Sequence, residues 1–193
     1  MGLRDVLFGR KQLKDAAGER LFAISTARIT LETELDLRST GAAGVCFKSL
    51  SAGEFVRAEN ELQQLLDAVA VESGSKISRQ TDEFGFEWLV VHDGDFEDLV
   101  TTVHLVASEL ESRGFGAQLL AAVFPFEGKA FDGGGRVFWI YGFKRGKFWP
   151  FVPTGDGKER DNAEELELKA KLEQELPIEP DLSRWFAVFD APV

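Results

Sequence analysis

Apolar residues recur at helical spacing in three stretches of the chain. The first stretch covers 55–69, the second follows Asp95, a predicted N-cap, and the third covers 161–176. In the third stretch Asn162 and Glu165 fit a capping box, which marks a helix start. Each stretch therefore predicts an amphipathic helix, with apolar faces formed by Phe55, Ala58, Leu62, Leu65, Leu66 and Val69, by Phe96, Leu99, Val100, Val103, Ala107 and Leu110, and by Leu168, Leu172 and Leu176.

Strand-like patterns fill most of the intervals. Some segments alternate apolar with polar residues, as a half-buried strand does, and others are short apolar runs typical of strands buried on both faces. The loop 82–85, which contains Gly85, predicts one hairpin, and the loop 144–147 predicts another. The predicted strands cover 27–34, 44–48, 77–81, 86–91, 118–126, 136–143 and 148–152.

The two ends of the chain carry weaker patterns. Residues 1–25 predict a short helical segment, although Gly18 weakens it. Residues 177–193 contain too much proline for a helix and are too apolar to remain in solvent, so we predict an irregular tail packed on the core. Strands grouped by tight hairpins and followed by helices favour an α+β fold, a mostly antiparallel sheet with helices on one face. No internal boundary is longer than a loop, so we predict a single domain over 1–193.

Composition narrows the classes of function. The chain has 193 residues, a net charge of −11 and an isoelectric point near 4.7, so a nucleic-acid partner is not expected. No apolar run reaches the ~18 residues of a membrane span, and the start does not form a secretory signal, which predicts a cytoplasmic protein without a transmembrane segment. Residues 3–11 combine amphipathic turns with basic residues and are a candidate for weak peripheral contact with a membrane. Docking of these turns on the chain's own core is the ordinary alternative.

Side chains with catalytic chemistry are few. His92 and His104 are the only histidines, and they lack the spacing of a metal-binding pair. Cys46 is the only cysteine, which excludes an intramolecular disulfide and a cysteine zinc site, and we interpret it as a small buried hydrophobe. We therefore predict no catalytic residues, no metal and no cofactor, and a protein that is not an enzyme.

The loop 144–147 is the most distinctive charged feature. Lys144, Arg145 and Lys147 place three cations at one hairpin tip in an acidic chain, next to Phe148 and Trp149. Such a tip fits an acidic partner, with the cations binding carboxylates and the two aromatic rings as anchors. Protection of a sheet edge by lysine is the ordinary alternative.

Several blocks spread over most of the length form a recognisable set. They are Met1-Gly-Leu-x-x-x-Leu-x-Gly9, Leu21-Phe22, Gly44-Val-Cys-Phe47, Gly114-Phe-Gly-x-Gln-Leu-Leu120, Tyr141-x-x-Lys-Arg-Gly-x-Phe148 with Pro150-Phe151, Arg160-Asp-Asn-Ala-Glu-x-Leu166, Leu176-Pro-Ile-Glu-Pro-Asp-Leu182 and Arg184-Trp-Phe186. With these blocks the chain resembles the actinobacterial PspA-associated protein PspAB family. The Lys-Arg-Gly and Arg-Asp-Asn blocks are the most specific, and no catalytic motif belongs to the pattern.

The resemblance implies a role beside PspA, a peripheral membrane protein of the phage-shock (envelope-stress) response. We therefore expect a non-enzymatic regulatory or adaptor protein that binds a PspA-like coiled coil. The alternative is a small-molecule-binding protein or enzyme with an aromatic cleft in the 136–152 strands, where Arg160, Asp161 and Asn162 bind the ligand. Helix capping is the simpler explanation of that triplet. The sequence makes no prediction of the oligomeric state.

Overall fold

The computed structural model describes residues 18–48, 64, 67–69, 71, 73–128, 135–154, 159–189 and 191–193. Two predicted features fall wholly or mostly outside these residues. They are the amphipathic turns in 3–11 and the greater part of the helix predicted over 55–69. Residues 64 and 67–69 are described and are helical, and Val69 is buried, as the helical stripe predicts.

Seven strands of the described residues form one antiparallel sheet. Their order is β3-β4-β2-β5-β6-β7, and β1 pairs with β5 beside β2. Apart from 27–34, every predicted strand is present, with its ends shifted by at most two residues. The strands are β1 (Arg38–Ser39), β2 (Ala42–Lys48), β3 (Lys76–Thr81), β4 (Phe86–His92), β5 (Leu119–Glu127), β6 (Arg136–Gly142) and β7 (Lys147–Phe151).

The helices with stated bounds are α1 (Ala23–Thr33), α2 (Phe96–Ser112) and α3 (Asn162–Leu172), and short 3-10 turns cover Arg20–Phe22 and Leu182–Arg184. Asp95 caps α2 as predicted, since its carboxylate accepts from the backbone N–H of Glu97 at 2.8 Å and of Asp98 at 3.2 Å. All six predicted apolar positions of α2 are buried. No helix among the described residues has the length and apolar content to cross a bilayer.

Both faces of the sheet are buried. On one face, residues such as Val45, Leu89 and Trp139 pack into one apolar cluster with residues of α1, α2 and α3. The opposite face packs against described residues of 178–189 and 191–193, which include the buried Trp185. This double covering explains why the central strands are continuous apolar runs, and it confirms the α+β class with helices on one face.

The C-terminal segment, defined here as residues 177–189, also closes one edge of the sheet. The N–H of Phe148 donates to the Pro177 carbonyl at 3.0 Å, and the N–H of Glu179 donates to the Phe148 carbonyl at 2.8 Å. These bonds form a parallel bridge between Phe148 and Ile178. The outer side of β7 is therefore paired with the same chain.

The strand predicted over 27–34 is wrong, because these residues belong mainly to α1. The buried positions of α1 are Ile24, Ala27 and Leu31, which follow helical spacing, whereas Ile29 is 62% exposed. The alternation of Ile29, Leu31 and Thr33 has the period of a strand, but tertiary packing selects the helical stripe.

The capping box predicted for α3 is also corrected. The N-cap is Asp161, whose carboxylate accepts from the backbone N–H of Ala163 and of Glu164, both at 3.0 Å. Glu165 does not reach back to the cap, because its carboxylate is buried and bonded elsewhere. Leu168, Leu172 and Leu176 are buried on one side, as predicted.

Candidate functional site

The turn 143–146 between β6 and β7, together with Lys147, the first residue of β7, is called the basic hairpin below. Its turn is closed at the Gly142 carbonyl, which accepts from the N–H of Arg145 at 3.2 Å and of Gly146 at 2.9 Å. Gly146 has φ +63°, a left-handed conformation that glycine adopts at no steric cost. Gly142 is also required, since a Cβ there would lie 2.9 Å from the Trp149 ring. The turn therefore holds Lys144 and Arg145 at its exposed tip.

Arg145 is bound to a buried carboxylate from the C-terminal segment. Its Nε lies 3.7 Å from Oε2 of Glu179, whose side chain is only 3% exposed. Arg184 approaches the other oxygen of Glu179 at 3.6 Å and also pairs with Asp181 at 3.0 Å. A hydrogen bond from the Ser183 hydroxyl, with help from the two arginines, lowers the pKa of Asp181. The cluster anchors the basic hairpin to the C-terminal segment.

Some charged side chains of the basic hairpin and the C-terminal segment are paired with opposite charges, and others are not. Arg145 and Arg184 face Glu179 and Asp181, so these four side chains balance. Lys144 is exposed, Lys147 is half-buried, and neither forms an ion pair with another described residue. The positive charge that the hairpin presents to solvent therefore comes mainly from the two lysines.

Phe148 and Trp149 lie inside the protein. Phe148 is fully buried and packs against Tyr141, with ring centroids 4.7 Å apart. Trp149 lies on the other face of β7, 4% exposed, and its indole Nε1 donates to the Phe186 carbonyl at 3.1 Å. Both faces of β7 are covered, because helices pack on one side and the C-terminal segment on the other. The structure thus uses both rings for packing within the chain, and the proposal below rests on the cations alone.

The triplet predicted for ligand binding, Arg160, Asp161 and Asn162, joins β7 to α3. Arg160 holds the buried carboxylate of Glu165 through both oxygens, with Nε to Oε1 at 3.0 Å and Nη2 to Oε2 at 2.7 Å. Its Nη1 donates to the Trp185 carbonyl at 2.8 Å. Burial raises the pKa of Glu165, and the hydrogen bonds from Arg160 and from the Val152 N–H oppose that shift.

Asp161 is the N-cap of α3, and Asn162 lines a cavity of about 170 Å³ with Arg160, Glu165, Leu166, Leu182 and Trp185. This volume is below the roughly 300–1,000 Å³ of small-molecule sites. The donors of Arg160 already bond to Glu165 and Trp185, so this part of the polar wall is satisfied within the chain. The rest of the lining is Asn162 and the apolar side chains of Leu166, Leu182 and Trp185. Asp161 has the capping role that was the simpler explanation of the triplet.

The two regions singled out in the sequence meet on one element, the C-terminal segment. Arg145 reaches it through Glu179, Trp149 through the Phe186 carbonyl and Arg160 through the Trp185 carbonyl. Sequence reasoning missed Glu179 as the buried acceptor. The available signal was its place in the distinctive Leu176–Leu182 block, between two prolines that restrict the backbone.

A groove of about 520 Å³ runs beside the basic hairpin. Phe143 and Lys144 line it from the hairpin, and His104, Ser108 and Glu111 line it from α2. Its volume falls within the range of small-molecule sites. Of the predicted aromatic strand residues in 136–152, only Phe143 borders this groove among the described residues. The aromatic side chains of β6 and β7 are otherwise core residues.

His104 is half-buried in the groove and packs on Phe22, with ring centroids 4.9 Å apart. Its Nε2 lies 3.4 Å from the Ser108 hydroxyl, longer than the roughly 2.6–3.2 Å of a nucleophile and its base. Burial lowers the pKa of His104, and the charges of Glu19 and Glu111 partly oppose that shift. The ring contact and the depressed pKa describe a neutral packing histidine at physiological pH.

The remaining reactive side chains are dispersed. His92 is exposed at the end of β4, and Cys46 is buried in β2. Burial, with a smaller contribution from the charge of Asp82, raises the pKa of Cys46 to about 12, which keeps the thiol protonated. Among the described residues, no three His, Cys, Asp or Glu side chains converge as metal ligands.

The chain is therefore an α+β protein in which Arg145 and Arg160 bind the C-terminal segment. Its basic hairpin also presents Lys144 and Lys147. The family model of PspAB, PspA associated protein B, matches residues 1–193, so the chain belongs to this family. The resemblance drawn from the sequence blocks is thereby confirmed, and the family name links the chain to PspA. Neither a curated protein nor a solved structure gives a significant match.

Proposed function

We propose that this protein is a non-enzymatic regulatory or adaptor protein of the phage-shock (envelope-stress) response. It acts in the cytoplasm by binding a PspA-like coiled-coil protein through the basic hairpin. The observation that supports this proposal is the placement of Lys144 and Lys147 on a hydrogen-bonded hairpin of a PspAB-family chain whose net charge is −11.

Charge complementarity explains why this hairpin suits a coiled coil. The outer positions of coiled coils are often Glu and Lys, so such a helix offers carboxylates at regular intervals. Attraction of this kind accelerates encounter and fixes orientation more than it adds affinity. Arg145 is held by Glu179, so the hairpin meets its partner in a preformed shape.

The test is the affinity of the purified chain for the PspA homologue encoded in the same genome, measured at low and at physiological salt. The variant Lys144→Glu/Lys147→Glu is compared with Arg38→Glu/Lys76→Glu, in which two exposed cations at the opposite end of the sheet are reversed. Both variants have the same net charge, so a difference between them depends on position.

We expect the hairpin variant to bind at least about tenfold more weakly and to lose most of its salt dependence. The control variant is expected to stay within about twofold of the wild type. Equal affinities of the two variants would remove the hairpin from the function. Absence of binding by the wild-type chain would overturn the direct adaptor role.

A further inference from the structure

The loop between β3 and β4, residues 82–85, is called the acidic hairpin below, and it presents an aromatic ring to solvent. Phe84 is 69% exposed, and Glu83 beside it is exposed and forms no ion pair with another described residue. The carboxylate of Asp82 orders the turn, since it accepts from the backbone N–H of Phe84 at 3.0 Å and of Phe86 at 2.9 Å. The ring and the charge are therefore displayed on a turn that loses little freedom on binding.

The acidic hairpin and the basic hairpin lie at the same end of the sheet. The pairing register brings four strand ends together there. They are Phe86 of β4, Lys48 of β2, Leu119 of β5 and Gly142 of β6. The strand order separates the two hairpins by four strand spacings, or roughly 19 Å.

This arrangement is self-complementary. A twofold axis perpendicular to the sheet relates two copies that meet at this end. Because the rotation exchanges the two sides of the sheet as well as its two ends, the acidic hairpin of each copy lies on the side of the basic hairpin of the other. Both contacts form at once, and the dimer closes without leaving either kind of hairpin free.

The groove beside the basic hairpin provides a site for Phe84 of the second copy. Its apolar lining consists of Ala107, Ala117, Leu119 and Phe143. The volume of about 520 Å³ accommodates a phenyl ring, and Lys144, unpaired among the described residues, borders the groove. The acidic hairpin thus offers a ring with a negative charge beside it, and the groove offers an apolar lining with a positive charge beside it.

We propose that this end of the sheet is a self-association surface that forms a twofold dimer. In each of its two contacts, Phe84 of one copy fills the groove of the other and Glu83 pairs with Lys144. The inference does not depend on the proposed function, but the two share Lys144. Self-association and the coiled-coil partner therefore compete for the basic hairpin.

The test is sedimentation equilibrium of the full chain at physiological salt, across about a hundredfold range of concentration. Glu83→Lys and Lys144→Glu each reverse one charge of the contact. The control is Glu34→Lys, which makes the same change at an exposed residue that follows α1. A dimer of either variant sets like charges against each other in both contacts. In a mixed dimer of the two variants, one contact is native and the other carries the same two charges exchanged, so attraction returns in both.

We expect the wild type and Glu34→Lys to dimerise alike and each contact variant alone to associate at least about tenfold more weakly. The equimolar mixture of Glu83→Lys and Lys144→Glu is expected to recover the dimer, which misfolded chains could not do. Phe84→Ala is also expected to associate at least about tenfold more weakly, with the circular dichroism of the wild type.

A wild type that stays monomeric at every concentration overturns the inference. Contact variants that dimerise like the wild type, or a mixture that stays monomeric, overturn it as well. Binding to the PspA homologue is measured separately, in the assay described above. A monomeric wild type that binds the homologue leaves the proposed function standing, whereas a dimeric wild type that does not bind it overturns the proposed function alone.

Discussion

Arg160 and Glu165 form a two-point ion pair at the junction of β7 and α3, with the shortest contact 2.7 Å between Nη2 and Oε2. The Glu165 side chain is 2% exposed and the Arg160 side chain is 23% exposed. Arg160 also lies over the Phe151 ring at 5.6 Å and donates to the Trp185 carbonyl. One side chain thus connects the sheet, the last helix and the C-terminal segment.

Replacing Arg160 with Ala should destabilise the fold by about 3–5 kcal/mol, because it leaves the Glu165 carboxylate buried without its partner. The double variant Arg160→Ala/Glu165→Gln should recover a substantial part of that loss. Gln keeps an acceptor for the Val152 N–H, at 3.0 Å in the wild type, and removes the buried charge. Chemical denaturation measures both free energies. A double variant less stable than Arg160→Ala would contradict this account of the pair.

Trp149 is expected to behave as a core residue. Trp149→Ala should lower the free energy of unfolding by about 3–5 kcal/mol, since it removes a large buried ring and leaves a cavity. Phe84→Ala is the matched control, because Phe84 is 69% exposed in the loop between β3 and β4 and should cost no more than about 0.5 kcal/mol. Similar small losses at both positions would mean that Trp149 lies at the surface in solution.

Ile29 and Leu31 distinguish a helix from a strand. In a strand they would share a face, whereas in α1 Leu31 is buried and Ile29 points to solvent. Leu31→Ala should therefore cost about 2–5 kcal/mol and Ile29→Ala less than about 0.5 kcal/mol. Equilibrium unfolding measures the loss of stability in each variant. Comparable losses at the two positions would support a strand in this segment and contradict the helix.

Acidification should weaken the fold through His104. Burial lowers its pKa below the ordinary value of 6.5, so the unfolded chain binds the proton more readily than the folded chain. The contribution of His104 to stability is therefore complete above the unfolded pKa and is lost as the pH falls through the folded pKa. Unfolding free energies at pH 7.5 and pH 5 should differ more in the wild type than in His104→Gln, where this group does not titrate. If the two pH values give the same difference in unfolding free energy in His104→Gln as in the wild type, His104 does not cause the loss of stability.

The parts of the fold that were predicted from the sequence have local causes. The Asp95 cap and the six-position apolar stripe specify α2, and the loop that ends at Gly85, with φ +80°, specifies the hairpin of β3 and β4. The strand predicted over 27–34 was wrong, because the apolar residues of this segment fit both the period of a strand and the spacing of a helical stripe. Packing of α1 against α2 and β1 decided between them, and such packing is not a local property.

In the candidate site, the charged residues could be predicted from the sequence, but their contacts could not. The cations of the basic hairpin were visible as sequence neighbours, since Lys144, Arg145 and Lys147 share one turn. The pairing of Arg145 with Glu179 depends on how the C-terminal segment returns to β7, which no spacing in the sequence encodes. For the same reason Trp149, which is adjacent to the hairpin in sequence, is distant from solvent in the fold.

The pairing of residues 177–179 with the outer side of β7 has a consequence for the behaviour of concentrated protein. An unpaired strand edge is a template to which a strand of another molecule can add, and a growing cross-β stack needs two such edges on each molecule. Here the chain itself occupies the edge at Phe148, so a strand of another molecule cannot pair with β7 at that residue. Residues 177–179 therefore protect β7 at Phe148 against edge-to-edge pairing with another molecule.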